Sequence, residues 1–259
     1  MTTGILEGKT ALVFGVANRR SIAWAIAQAL AGAGASLGFT FQGDRIEAGV
    51  RELAGSVNSP LVTPCDVTRD EDLDRVFAEA ERELGGLDIL IHSVAFAARE
   101  DLEGRFVDTS RANFAMALDI SAYSLTAMVK RAEPLMEKRG GGSVLTMTYL
   151  GGERAVPNYN VMGVAKAALD ASVRYLAMEL GGKNIRVNAV SAGPIRTLAA
   201  RSISGFTMME EHYEKRAPMR RNVDASEVGQ AALFLCSPMA SGITGEIVHV
   251  DAGYHAIGF

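Results

Sequence analysis

The stretch TALVFGVANRRSIAWAIAQALAGAGASLGFTF, residues 10–41, decides the fold class of this chain. Thr10–Phe14 is a short apolar run that predicts a buried strand, and Ala35–Phe41 predicts a second one. Between them, Ser21–Ala33 carries apolar side chains at helical spacing. A strand, a helix and another strand in this order are typical of a parallel sheet, because parallel strands need a crossover connection.

The same alternation continues to the end of the chain. Further strands are predicted over Pro60–Cys65, Leu87–Ser93, Ser143–Tyr149, Asn184–Val190 and Glu246–Val250. Helices are predicted over Asp44–Ala54, Pro157–Gly181 and Asp224–Leu235, and two more within Thr109–Lys138. A capping box formed by Thr68 and Glu71 predicts the start of a further helix that continues through Leu84. We therefore predict an α/β fold with a single Rossmann-type, doubly wound parallel sheet of about seven strands and helices on both faces.

Length and composition favour one domain over residues 1–259. The chain is 48% hydrophobic and 22% charged, which suits one large core without disulfides. Cys65 and Cys236 lie in apolar runs, which favours buried thiols over metal ligation. We find neither a signal-peptide pattern nor an apolar run of the roughly 18 residues that a membrane helix needs, and we expect a cytoplasmic protein. A net charge of −4 with scattered basic residues does not favour nucleic acid as a partner.

The turn after the first strand is where a doubly wound sheet binds a pyrophosphate. It reads Gly15-Val16-Ala17-Asn18-Arg19-Arg20-Ser21-Ile22-Ala23. Gly15 allows a sharp turn, and the Ser21 hydroxyl can cap the helix or donate to a phosphate oxygen. The usual second and third glycines are missing, so a plain strand-to-helix turn stays an alternative.

The ends of the next strands supply candidates for contacts with ribose and adenine. Gln42 can hydrogen-bond either group without repelling a 2′-phosphate, whereas Arg45 can attract that phosphate or begin the next helix as a solvated residue. Together they favour NADH over NADPH. Asp66 is placed to meet the adenine edge, or else belongs to the turn before the next helix. The small residues of Ser93-Val94-Ala95 let a cofactor approach the backbone closely.

Tyr159 and Lys166 are the candidate catalytic pair. They lie seven residues apart in the predicted helix, nearly two turns, so their side chains should face the same way, about 10 Å apart along the axis. A lysine near the tyrosine would lower its pKa from about 10 and stabilise negative charge on a substrate oxygen. An interfacial tyrosine and an ordinary surface lysine are the alternative.

Other residues are expected at the same edge of the sheet. Tyr149 closes the fifth strand, and ligands of open α/β sheets collect at the carboxyl ends of the strands. Gly193-Pro194 fixes a turn after the sixth strand. The weak pattern that follows predicts a flexible substrate-binding flap around residues 195–210. His92 and His249 lie inside strands and are expected to be structural.

Taken together, these motifs resemble the NADH-dependent enoyl-acyl carrier protein reductases of bacterial type II fatty-acid synthesis, in the short-chain dehydrogenase/reductase superfamily. The resemblance covers roughly residues 8–254, and its most specific part is the run from Pro157-Asn158-Tyr159 to Lys166. Most members of the superfamily use Tyr-x3-Lys, whereas this family and this chain have Tyr-x6-Lys. Other matching segments are Gly15-Val16-Ala17, Ser21-Ile22-Ala23, His92–Ala97, Tyr149-Leu150-Gly151, Arg186–Ala189, Ala192–Ala199 and Gly245–Asp251.

The resemblance implies a function: hydride transfer from NADH to the C2=C3 double bond of trans-2-enoyl thioesters, the last step of the elongation cycle. Tyr159 and Lys166 would be catalytic, Tyr149 would be the second active-site tyrosine, and Ala97 would line the substrate channel. The residues implied in NADH binding are Gly15, Ser21, Ile22, Gln42, Asp66, Val67, Val94, Lys166, Ile195, Arg196, Thr197, Leu198 and Ala199. Ala95 stands where the family often has glycine and Ala98-Arg99-Glu100 departs from its usual continuation, so chain-length preference stays open.

The resemblance also implies partners. The substrate would be carried by acyl carrier protein, which is acidic. Basic residues near the flap favour docking of this partner, or else they are ordinary solvated side chains. They are Arg196, Arg201, Lys215, Arg216, Arg220 and Arg221. A homotetramer is expected, with interfaces on the helices of Thr109–Lys138 and Pro157–Gly181. A 3-ketoacyl or alcohol dehydrogenase on the same fold, and a non-catalytic nucleotide-sensing module, are the rival functions. The Tyr-x6-Lys spacing argues against the first and the presence of the Tyr/Lys pair against the second.

Overall fold

The computed structural model describes residues 4–197 and 205–258. Its strands are β1 (Thr10–Phe14), β2 (Ser36–Phe41), β3 (Leu61–Pro64), β4 (Ile89–His92), β5 (Gly142–Thr148), β6 (Ile185–Ala192) and β7 (Ile247–Val250). They form one seven-stranded sheet in the order β3-β2-β1-β4-β5-β6-β7, and every neighbouring pair is parallel. The chain moves outward from β1 to β3 and then returns to place β4 beside β1, which creates a topological switch point. The predicted fold class is confirmed.

Helices cover both faces of this sheet. They are α1 (Ile22–Gly32), α2 (Asp44–Ser56), α3 (Asp70–Leu84), α4 (Arg99–Leu102), α5 (Arg111–Leu118), α6 (Ser124–Lys138), α7 (Asn160–Leu180), α8 (Phe206–Arg216) and α9 (Ala225–Cys236). Ala11 and Val13 of β1 pack with α1, α2 and α9, whereas Leu12 and Phe14 pack with α3, α6 and α7. This alternation follows from the two-residue period of a strand. Since both faces are buried, β1 reads as a continuous apolar run.

The predicted capping box at Thr68 is wrong, and α3 begins at Asp70. Thr68 donates its hydroxyl to a carboxylate oxygen of Asp66 at 2.7 Å, and its N–H donates to the same oxygen at 3.0 Å. Because the Thr68 hydroxyl is engaged by the Asp66 carboxylate two residues earlier, it does not cap the helix.

The two helices predicted within Thr109–Lys138 exist as α5 and α6, but a π-helical turn over Asp119–Tyr123 joins them directly. Ser121 in this turn accepts a hydrogen bond from the Phe96 N–H at 2.9 Å and donates to the Phe96 carbonyl at 3.1 Å. The π-turn therefore anchors the segment that follows β4 at the edge of the sheet.

The segment predicted as an irregular flap is partly helical. Residues 206–210 form the beginning of α8, while 198–204 lie outside the described residues. Sequence patterning misses α8 because Glu210 is buried in it alongside Tyr213. Glu210 is tolerated there because the Arg196 guanidinium binds both of its oxygens at 2.8 Å. Along the two described stretches, we find no helix both long and apolar enough to cross a bilayer.

Candidate active site

A cavity of about 580 Å³ opens at the carboxyl edge of the sheet, beside the switch point between β1 and β4. Most of the predicted site residues line it: Gly15, Ser21, Ile22, Gln42, Val67, Val94, Ala97, Tyr149, Tyr159, Lys166, Ile195 and Thr197. Asp66 and Arg196 were also predicted, but their side chains bind neighbouring residues and they are not part of the lining. Leu198 and Ala199 fall outside the described residues.

The turn from β1 to α1 forms one end of the cavity. Gly15 has a φ of +100°, and a Cβ atom at this position would lie 2.0 Å from the Ser93 carbonyl oxygen. Only glycine therefore lets β1 and β4 end this close together. The Ser21 hydroxyl accepts hydrogen bonds from the Ala17 and Asn18 N–H groups, both at 3.1 Å, so it orders the loop and does not cap α1. The Trp24 N–H donates to the Ser21 carbonyl at 3.0 Å, so the N–H groups that can bind an anion are those of Ile22 and Ala23, at the very start of α1.

Asp66 and Gln42 meet where β2 and β3 end. Burial raises the pKa of Asp66, but hydrogen bonds from Thr68 and from the Gln42 side chain outweigh it and hold the pKa below its ordinary value. Asp66 is consequently an anion at neutral pH. Asp66 belongs to the turn before α3, as the second of its two interpretations predicted, and it fixes the Gln42 side chain at the rim of the cavity. Contact of Asp66 with adenine stays a prediction.

Tyr159 lies against Tyr149 in the middle of the cavity. Both are about 8% exposed, and their rings meet edge to face with centroids 4.9 Å apart. Tyr159 is the residue before α7 and not part of its first turn, because Asn158 and Asn160 adopt left-handed backbone angles. The prediction that both candidate catalytic residues lie within the helix is corrected accordingly.

The pKa of Tyr159 is raised well above its ordinary value by burial first, and then by Tyr149 and Asp170. The predicted lowering is therefore wrong. Its cause would have been Lys166, but the Lys166 ammonium donates to the Met147 carbonyl at 2.7 Å. Tyr159 thus stays protonated at neutral pH and can donate its O–H to a ligand.

Lys166 is 6% exposed, and burial lowers its pKa to about 8, an effect that Asp170 one turn further along α7 partly opposes. The group therefore remains mostly charged at pH 7. One of its three N–H donors binds Met147, and the others are available to a ligand in the cavity.

The histidines behave as predicted. His92 is fully buried, and its ring nitrogens lie 2.7 Å from the Thr146 hydroxyl and 2.8 Å from the Ser124 hydroxyl. Burial lowers its pKa to about 3, so the ring is neutral. His249 is paired with Glu153 at 2.7 Å. Both are held by structural contacts outside the cavity.

The predicted substrate-binding flap around residues 195–210 includes the start of α8, but sequence reasoning missed both the helix and Tyr213. Phe206 and Met209 line the cavity, and the hydroxyl of Tyr213 lies 3.1 Å from that of Tyr149. Phe206, Met209 and Tyr213 follow at spacings of three and four residues, which would have shown one face of a helix. The acidic residues between them obscured that pattern.

The protonated Tyr159 and the charged Lys166 line one cavity, and the turn at Gly15, which is suited to a pyrophosphate, forms one end of this cavity. That combination can hold a dinucleotide and stabilise charge on the oxygen of a second ligand beside it. Fold and site together define a nucleotide-dependent reductase of the short-chain dehydrogenase/reductase superfamily.

The comparisons with known proteins narrow this class. A family model described as "Enoyl-(Acyl carrier protein) reductase" matches residues 15–255. The chain belongs to this family.

Individual relatives match over nearly their whole length. The enoyl-[acyl-carrier-protein] reductase [NADH] FabI of Nostoc sp. is 57% identical over 98% of this chain and 98% of its own. The protein of the same name from Bacillus cereus is 55% identical over 98% of this chain and 99% of its own. A crystal structure of the Bacillus cereus reductase with NADP+ and indole naphthyridinone has a TM-score of 0.96, with 54% identity over 99% of this chain and all of that one.

Proposed function

We propose that this protein reduces the C2=C3 double bond of trans-2-enoyl thioesters on acyl carrier protein with NADH, the last step of the fatty-acid elongation cycle. The observation that carries the proposal is that the buried, protonated Tyr159 and the buried Lys166 line the same cavity, which has an apolar end. The membership of the chain in the enoyl-acyl carrier protein reductase family supports the same activity.

The side chains of this chain act on the thioester oxygen. NADH, when bound, supplies the hydride that is transferred to C3 of the enoyl group. As the thioester becomes an enolate, its oxygen gains negative charge, and the Tyr159 O–H donates a hydrogen bond to it. This hydrogen bond from a buried phenol strengthens as charge develops on the oxygen, so it lowers the barrier more than it stabilises the substrate. The enolate then takes a proton at C2, which restores the thioester carbonyl and completes the reduction. The Lys166 ammonium would hold the nicotinamide ribose of the bound cofactor and keep the local field positive.

The cavity fits a dinucleotide at one end and an acyl chain at the other. The cavity extends to the turn from β1 to α1, where Gly15, Ala17 and Ser21 line it, so a pyrophosphate can bind at the N-terminus of α1. The opposite end is lined by apolar side chains: Phe96, Ala97, Leu102, Met162, Phe206 and Met209. Such a surface suits hydrocarbon, because burial of apolar area is favourable without directional contacts.

The replacement Gly15→Ala tests the dinucleotide end. We expect the Kd for NADH to rise at least about ten-fold, because the methyl group would overlap the Ser93 carbonyl and the backbone angle disfavours alanine. Fluorescence titration of NADH measures this. Gly32→Ala is the matched control, since its Cβ would meet nothing within 4 Å. Binding by Gly15→Ala as tight as by the control would contradict the assignment of this turn.

NADH is the proposed cofactor because the negative charge of Asp66 lies next to Gln42, where it would repel a 2′-phosphate. Arg45 is exposed nearby and opposes this preference. The Bacillus cereus crystal structure holds NADP+, so the two nucleotides need to be compared directly on this protein.

Acyl carrier protein is the proposed partner. Much of the basic cluster near α8 is neutralised, since Arg196 is paired with Glu210 and Arg221 with Glu227 at 2.7 Å. Arg216 and Arg220 are exposed, and neither forms an ion pair within residues 4–197 and 205–258. These two arginines are the docking residues that we propose, and Arg201 lies outside the described part of the chain.

A cytoplasmic homotetramer is the proposed state of the protein. Helices α5 and α7 and the π-turn between α5 and α6 expose large apolar side chains, among them Met116 at 43%, Tyr123 at 59% and Met178 at 78%. Association of copies through these helices would bury this apolar area. Light scattering should then give four times the chain mass of 27.5 kDa.

One assay distinguishes the proposed activity from its rival. Loss of reduced-nicotinamide absorbance is followed with a trans-2-enoyl thioester and, separately, a 3-ketoacyl thioester, each with NADH and with NADPH. Turnover of only the enoyl substrate is expected, with NADH preferred. Turnover of the ketoacyl substrate instead would favour the rival dehydrogenase. Repeating the assay with carrier-protein and coenzyme A thioesters at rising salt tests docking, since only the former should weaken steeply.

A further inference from the structure

The Tyr149 hydroxyl is held by two groups, and both come from α8. It donates to the Met209 sulfur at 3.2 Å, and it lies 3.1 Å from the Tyr213 hydroxyl. Because a phenol has one proton, a Tyr149 that donates to sulfur must accept from Tyr213. The three groups thus form a chain in which Tyr213 donates to Tyr149 and Tyr149 donates to Met209.

This chain is buried and remains protonated. Tyr149 and Tyr213 are 8% and 4% exposed. Burial raises the pKa of Tyr149 to about 12 and raises that of Tyr213 further. Both phenols are therefore neutral at neutral pH, and the hydrogen bond between them does not depend on the ionisation of either.

Tyr213 is itself fixed from the other side. Its ring stacks on Tyr254, with centroids 3.7 Å apart and planes at 15°. Helix α8 also carries Phe206 and Met209 into the apolar end of the cavity, and we call these two side chains the acyl-binding wall. The hydrogen bond between the two hydroxyls therefore connects this wall to Tyr149, which packs against Tyr159. Sulfur is a weak acceptor, so the Tyr149 O–H can turn to a stronger one while Tyr213 continues to hold its oxygen.

We propose that Tyr213 is a positioning residue: its hydroxyl orients Tyr149 and holds α8 against the site, so that the acyl-binding wall is formed before substrate arrives. The inference deepens the proposed function and rests on it. It assigns Tyr213 to binding of the acyl thioester and not to the hydride step, because Tyr213 does not line the cavity and reaches it only through Tyr149 and α8.

The test is Tyr213→Phe, which keeps the ring and its stack on Tyr254 but removes the hydroxyl. We expect the KM for the enoyl thioester to rise about ten-fold, since a buried partner loses its hydrogen bond, with kcat and the KM for NADH unchanged. Tyr254→Phe is the matched control. It removes a hydroxyl from the stacked ring beside Tyr213, and we expect wild-type kinetics.

A double-mutant cycle with Tyr149→Phe separates positioning from a general structural role. The enoyl KM of the double variant should equal that of Tyr149→Phe, because each replacement breaks the same hydrogen bond. Independent, multiplying effects, or wild-type kinetics of Tyr213→Phe, would overturn the proposal. Equal losses in kcat and in NADH binding, together with a lower Tm, would also overturn it, as they indicate loosened folding only. Absence of enoyl turnover by the wild-type protein would instead contradict the proposed function.

Discussion

Replacing Tyr159 with phenylalanine should lower kcat for enoyl-thioester reduction by about 100- to 1000-fold, the usual loss when one donor to a developing oxyanion is removed. The phenol is buried and its pKa is raised, so it acts as a neutral donor. The loss should fall on kcat because the hydrogen bond is strongest in the transition state. The Kd for NADH should change little.

Steady-state kinetics and NADH titration of Tyr159→Phe check this expectation. Tyr175→Phe provides a control with the same chemical change, since Tyr175 is 71% exposed on α7 and outside the cavity. Full turnover by Tyr159→Phe would remove this residue from the mechanism. The next candidate donor would then be Tyr149, whose ring lies 4.9 Å from that of Tyr159.

The second large effect is expected from Lys166→Met, which retains the length of the side chain without its charge. The KM for NADH should rise by about 10- to 100-fold, because hydrogen bonds from a charged donor each contribute about 1.5–3 kcal/mol. Turnover at saturating NADH should fall as well, since the positive field beside the thioester oxygen is lost. Kinetics with NADH varied at a fixed enoyl substrate would show both changes.

The same variant tests the pKa of Lys166 through stability. Burial lowers this pKa from 10.5 to about 8 in the folded protein, so between these values the unfolded chain holds a proton that the folded chain has released. Stability therefore rises with pH in this window wherever the lysine is present. We expect the free energy of unfolding of the wild type, relative to Lys166→Met, to increase from pH 7.5 to pH 10 in urea titrations. A constant difference would mean that Lys166 titrates normally.

Tyr159 and Lys166 show where reading of the sequence succeeds and where it stops. Their spacing is local, and both residues line the cavity, as does Gly15. Their catalytic roles stay predictions. The sign of the Tyr159 pKa shift was predicted incorrectly, because it depends on how deeply the ring is buried and on which group accepts the hydrogen bond from Lys166. The acceptor is Met147, 19 residues earlier on β5, which spacing along α7 cannot reveal.

Helix boundaries illustrate the same division. The apolar run of β1 and the periodicity of α1 are set by neighbours a few residues apart, and both were predicted to within a residue of the structure. The start of α3 was missed because two groups compete for Thr68. Helix α8 was missed because its burial of Glu210 depends on Arg196, which lies 14 residues earlier in the sequence.

The sequence alone thus determined the doubly wound sheet, the edge at which the site lies and the residues suited to its chemistry, because all of these follow from local periodicity and from strand order. Only the tertiary structure decided which groups are joined by hydrogen bonds and which of them are charged. The pairing of Tyr149 with Tyr213 joins residues 64 positions apart, and the neutrality of Tyr159 arises from burial by several elements. Such contacts form when distant segments pack together, and no pattern within one segment encodes them.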